Sequence, residues 1–191
     1  MSAPAWTEVQ LAIAGTLRLA RGDRSGLAAF DTSIDGFWRS FRAGIICYPF
    51  YLLLLAFRVA APQWAASGVA TILVVETIAY VISWVAFPLM ILPLARWLDR
   101  EERFLAFMVA YNWSQIPQTA LFVVVGLDRV TGFLPPTAGQ FAEVFAAIAV
   151  LVYEWYIARV ALAVGGAPAG FVVVVDLALG TLLSQVASSL Y

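Results

Sequence analysis

Tyr111-Asn112-Trp113-Ser114-Gln115-Ile116-Pro117-Gln118-Thr119 is the stretch that constrains how this chain can fold. It lies inside the apolar run Phe104 to Val125, which is long enough to cross a bilayer. At about 100° per residue, Ser114, Gln118, Tyr111, Gln115, Thr119 and Asn112 fall on one arc roughly 160° wide, with Trp113, Ile116 and Pro117 facing the other way. An unpaired amide in hydrocarbon is costly, so that arc has to face other helices or a wet cavity. Pro117 has no N–H to offer the carbonyl of Trp113, which predicts a bend.

Composition agrees with a membrane setting. Hydrophobic residues make up 63% of the 191 residues and charged residues only 12%, whereas soluble domains run at about 45–50% and about 25%. A chain of this length has room for about four to six spans and no separate catalytic domain. The net charge of −1 gives no argument for nucleic acid.

Several chemistries are excluded by what is missing. There is no His, and all 11 basic residues are Arg. That removes a His-held metal or haem, a His general base and a Schiff-base lysine. The single Cys47 cannot form an intrachain disulfide or an iron–sulfur site. The expectation is a protein that is not an enzyme and has no cofactor and no metal. The Lys-free, Ala-, Arg- and Val-rich usage points to a bacterial genome. The N-terminal region lacks the form of a signal peptide, because its apolar patch is short and its basic residues come after it.

Two amphipathic stretches open the chain. In Trp6 to Ala20, Trp6, Val9, Ile13 and Leu17 recur at helical spacing; in Leu27 to Phe41, Phe30, Ile34, Phe37, Trp38 and Phe41 oppose Asp31, Asp35, Arg39 and Arg42. Both suit helices lying in the membrane interface, or packed on the end of the protein's own bundle. Five spans follow, at about 43–57, 68–92, 104–125, 141–164 and 170–190. The second is read as one long helix in preference to a re-entrant pair. The expected architecture is therefore all-α: a cytoplasmic amphipathic region over 1–42, then a polytopic transmembrane helical bundle of five spans over 43–191. With the N-terminus inside, nine Arg fall on the cytoplasmic side, including Arg18, Arg21, Arg24, Arg39, Arg42 and Arg159. Only Arg58 and Arg129 fall outside. The implied location is a bacterial inner membrane with the C-terminal end periplasmic.

Charged groups at membrane depth are expensive and normally face the bundle. Glu143 interrupts a span at the outer interface, where it needs no special role, and Glu76, Glu154 and Asp176 interrupt the spans as well. With Asn112, Gln115, Gln118 and Arg159 they make a candidate polar network. Glu76 is expected to meet Gln115 and Gln118, while Arg159 is placed to pair with Glu154 or Asp176. Asp176, Gly180, Ser184 and Ala187 share a stripe of small residues suited to close helix packing. Arg18, Arg21, Arg24, Arg39 and Arg42 are candidate lipid-headgroup contacts.

A cytoplasmic amphipathic region followed by five closely spaced spans resembles the Yip1-like membrane proteins, which are small five-span proteins linked in eukaryotes to vesicle trafficking. The resemblance lies in this layout, and no site residue is carried over with it. The expected function is that of an accessory membrane protein that binds anionic lipid and either other membrane proteins or further copies of itself. The alternative is a small homo-oligomeric channel or proton-coupled transporter that uses the polar face of the third span with Glu76 and Asp176.

Overall fold

The computed structural model describes residues 5–191, and its regular structure is helical throughout, with no strand among the described residues. Helix α1 covers Ala5–Ala20, and a 3-10 turn at Arg24–Ala29 follows it. Then come α2 (Ile34–Ser40), α3 (Arg42–Arg58), α4 (Ala61–Ser67), α5 (Val69–Trp97), α6 (Phe104–Thr131), α7 (Pro136–Ala161) and α8 (Gly166–Ser188).

Four helical segments are long and apolar enough to cross a membrane: Ile34–Arg58, Val69–Trp97, Pro136–Ala161 and Gly166–Ser188. They mark a membrane protein. Their outward faces carry Val, Ile, Leu and Phe, such as Val74, Ile78 and Val85 on α5 and Phe145, Ile148 and Val152 on α7. Helix α6 is equally long, at 28 residues, but falls outside this set. The cause is the polar arc from Tyr111 to Thr119.

Three boundaries differ from the sequence reading. The stretch 27–41 is not one amphipathic helix: it is the end of a 3-10 turn, an extended link and the short α2. Ser33 caps α2 by accepting a hydrogen bond from the Gly36 amide at 3.0 Å. The first apolar segment is also longer than 43–57, because α2 runs almost directly into α3 and the pair covers 25 residues, about 38 Å along the axis. Finally, the apolar run after Pro62 is divided at Gly68, whose φ of +79° ends α4 before α5 begins. Glycine adopts that left-handed conformation without a Cβ penalty. Beyond it, α5 is a single 29-residue helix that continues through Pro88 and Pro93, and α6 likewise continues through Pro117.

Helix α6 is the hub. Phe107 to Ala110 and Asn112 to Ser114 are all buried, so both the polar arc and the opposite side carrying Trp113 are covered. Helices α3 and α7 flank it, α8 packs on α7, and α5 packs on α8. Helix α5 returns to α3 through side chains: Tyr48 and Thr77 share a hydrogen bond of 2.7 Å, and the Tyr80 hydroxyl donates to the Gly44 carbonyl at 2.7 Å. The result is a ring of five helices in the order α3, α6, α7, α8, α5. At one end the ring is plugged by Phe87, Phe107 and Tyr111, with Phe87 stacked on Tyr111 at 4.2 Å between centroids.

Helix α1 lies against α6 and α7 at that same end. Val9, Ala12, Gly15, Thr16 and Leu19 are buried on it, while Trp6 and Leu17 are exposed. The Tyr153 hydroxyl anchors it by donating to the Thr16 carbonyl at 2.8 Å.

Candidate functional site

The five-helix ring lines a cavity of about 780 Å³ that is partly open to the outside. Its wall is aromatic along α3 and α5, where Tyr51, Tyr80 and Trp84 follow one another; Tyr51 and Tyr80 lie 4.7 Å apart between centroids and Tyr80 and Trp84 6.1 Å. Amides from α6 face it, and two carboxyl groups close its deeper end. Gly180, Thr181 and Gln185 are exposed residues of its lining and mark where α8 stands away from its neighbours.

The deeper end is built by the α7–α8 hairpin. The turn at Ala163–Gly165 sets Glu154 and Asp176 at nearly the same height, about 15 Å from the turn along each helix. The two carboxyl groups are neighbours. Asp176 accepts a hydrogen bond from the Tyr111 hydroxyl at 2.8 Å. Glu154, 9% exposed, stands beside Gln115. The buried amide nitrogen of Gln115 has no hydrogen-bond partner among the described residues. Adjacent carboxylates in a poorly solvated site repel strongly, so such a pair is stable with a proton between the two groups or a cation against them.

The other end is an ion pair. The Glu76 carboxylate is 1% exposed and accepts from Arg58 Nη2 and from the Tyr191 hydroxyl, each at 2.6 Å. The Tyr51 hydroxyl donates to its other oxygen. Arg58 also donates to Ser184 Oγ at 3.2 Å, which ties α3 to α8 across the ring.

These placements redraw the expected network. Glu76 does not meet Gln115 or Gln118; its partners are Arg58 and two tyrosines. Gln118 donates to Ser114 Oγ within its own helix at 3.1 Å. Arg159 pairs with neither Glu154 nor Asp176. Its guanidinium lies over the Trp155 ring, 5.3 Å from the centroid, because a residue five positions beyond Glu154 points to a different side of the helix. Asn112 lines the cavity but donates to Ser40 Oγ at 2.8 Å, which fastens α6 to α2. The stripe on α8 is also not a close-packing seam at its centre: a Cβ on Gly180 would meet nothing within 4 Å.

Among the basic residues at the α1 end, Arg39 and Arg42 are engaged with Glu8, at 2.9 and 3.3 Å, and Arg39 also with Asp31. Arg18, Arg21 and Arg24 are exposed.

Tyr51, Arg58, Tyr111 and Tyr191 were not among the expected site residues. One signal was available for the carboxyl pair. Glu154 and Asp176 are nearly equidistant from the turn signal Gly165-Gly166-Ala167-Pro168, and a tight helical hairpin brings such positions together. Nothing comparable links Glu76 to Tyr191, which are 115 residues apart.

No family model matches the sequence, and no curated protein or solved structure is similar enough to count as a match.

Proposed function

We propose that this chain is a five-span bacterial inner-membrane protein that admits a small solute to the cavity inside its helix ring and carries it across the membrane. In this reading α6 is the fifth span, solvated by the other four and so free to be polar. The α1 end is cytoplasmic, since nine Arg cluster there against two at the other end. The observation that carries the reading is the Glu154–Asp176 pair, set beside an unpartnered Gln115 amide in a cavity of about 780 Å³. Charged or polar groups left unsatisfied at membrane depth are expensive, and a bundle needing only internal order can use Leu and Ala there.

The test is uptake by vesicles reconstituted with the protein and loaded with a pH-sensitive dye. The vesicles are offered a panel of small amines, amino acids, sugars and carboxylic acids. Saturable uptake or proton movement that needs the protein, and that is lost in Asp176→Asn and Gly180→Phe, supports transport. Silence across the panel rejects it.

A second reading is an accessory subunit that binds anionic lipid and a neighbouring membrane protein or a further copy of the chain. It is favoured by the free side of α1, where Trp6 and Leu11 are 70% and 51% exposed near the exposed Arg18 and Arg21. Stoichiometric recovery with a larger complex from mild detergent supports it.

A further inference from the structure

We infer that the cavity selects organic cations, and that a bound cation takes the place of a proton held by the Glu154–Asp176 pair. This rests on the reading of the cavity as a solute site and adds its chemistry.

The argument is a charge count followed by a shape. Among the described residues, Arg58 is the one basic residue in the cavity lining, and Glu76 already neutralises it at 2.6 Å. Glu154 and Asp176 have no basic partner, since Arg159 is occupied over Trp155. The unbalanced charge in the cavity is therefore negative, and low-dielectric walls strengthen its attraction for a cation. An inorganic cation would want a shell of oxygen ligands. This cavity instead offers Tyr51, Tyr80, Trp84 and the Phe87–Tyr111 stack. Aromatic faces attract quaternary and protonated amines through their ring quadrupoles, more strongly where water is excluded. Gln115 adds a buried amide nitrogen beside Glu154, suited to an oxygen on the solute.

The exchange follows from competition for the same carboxyl oxygens. Tyr111, from α6, faces Asp176, and Gln115 faces Glu154. Farther along the wall are Cys47, Tyr51, Tyr80 and the Arg58–Glu76 pair. Binding a cation at the pair expels a proton, and by linkage a rise in pH tightens cation binding.

Two ions of the same size and shape with opposite charge separate the possibilities: tetraphenylphosphonium and tetraphenylborate. Each is titrated calorimetrically into the whole protein held in lipid nanodiscs, with empty discs subtracted. The phosphonium is expected to bind at least about tenfold more tightly than the borate. Its affinity should rise with pH, with proton release shown by repeating the titration in buffers of different ionisation enthalpy. Glu154→Gln and Asp176→Asn should each weaken it about tenfold or more. If either variant fails to fold, Gly180→Phe serves instead. A Cβ on Gly180 meets nothing within 4 Å, so the ring starts from open space in the cavity lining, and blocking the cavity there should abolish binding. Equal or tighter binding of the borate would overturn the cation assignment while leaving a solute cavity in place. Binding of neither ion, together with a silent uptake panel, would overturn both.

Discussion

Glu76 and Arg58 meet at 2.6 Å with very unequal access to water: the Glu76 side chain is 1% exposed and that of Arg58 47%. The pair therefore has a buried half and a wet half, and the two halves respond differently to loss of the partner. In Arg58→Gln the carboxylate stays buried with only tyrosine hydroxyls around it, for a cost of about 3–5 kcal/mol. In Glu76→Gln the guanidinium can turn to solvent, and the cost is about 1–3 kcal/mol. Unfolding in mixed micelles measures both. Equal costs, or the reverse order, would show that the burial asymmetry does not govern the pair.

Asn112 and Ser40 form another pair that is uneven in its alternatives. Ser40 Oγ keeps a second bond, donated to the Phe37 carbonyl at 2.6 Å, whereas the Asn112 amide has Ser40 as its hydrogen-bond partner. Ser40→Ala strands a buried amide and should cost about 1–3 kcal/mol. Asn112→Leu strands nothing of that kind and should cost less. The double variant should be no worse than Ser40→Ala alone, a non-additivity that a double-mutant cycle reads directly.

Two glycines predict opposite outcomes for the same change. A Cβ on Gly44 would lie 3.0 Å from the Trp84 ring, while one on Gly180 would touch nothing within 4 Å. Gly44→Ala should destabilise by about 1–3 kcal/mol through overpacking. Gly180→Ala should leave the unfolding midpoint unchanged or slightly raised, since alanine suits a helix interior better than glycine. A midpoint that falls as far for Gly180→Ala as for Gly44→Ala would mean that α8 packs closely there after all.

Outside the apolar helices, Asp31 offers a pH-dependent contact. Hydrogen bonds from Ser33 hold its carboxyl below the ordinary carboxylate range, with Arg39 contributing. A lowered folded value means the contact stabilises above the unfolded value of about 3.9 and is lost as pH falls through the lower folded value. The amide resonance of Ser33, which donates to Asp31 Oδ1 at 2.9 Å, should titrate with that low midpoint and stop titrating in Asp31→Asn. Removing the neighbouring cap with Ser33→Ala should cost about 1 kcal/mol of helix stability.

The helices were legible because their causes are local. The long apolar segments, their breaks at Gly165-Gly166 and Pro135-Pro136, and the need to shelter Tyr111–Thr119 all follow from a single pass along the sequence. The continuity of α2 with α3 was obscured by Asp35 and Arg39, which read as a polar face but sit at the start of a longer helical segment. The site was less legible because its partners are far apart in the chain. Depth along a span suggested that Gln115 and Gln118 would meet Glu76, but depth leaves open which way a side chain points around the helix axis. Arg58 was counted only on the outer side and given no partner, although a long flexible arginine at the end of a span can reach one turn inward. Gly180 and Ser184 showed the spacing of a packed seam, and the same small residues serve equally well to leave a space.

The burial of the first half of α6, on the polar arc and the opposite side alike, has a consequence for how the chain is made. Synthesis runs from the amino end, so α6 leaves the ribosome before α7 and α8, when half of its eventual surroundings do not yet exist. An insertion machine that judges segments one at a time by their affinity for lipid would find α6 the weakest of the five long segments. Its retention then depends on waiting beside the earlier helices until the α7–α8 hairpin arrives. A chain halted after Thr131 would be expected to leave that helix unanchored, and the last hairpin to be the step that completes assembly.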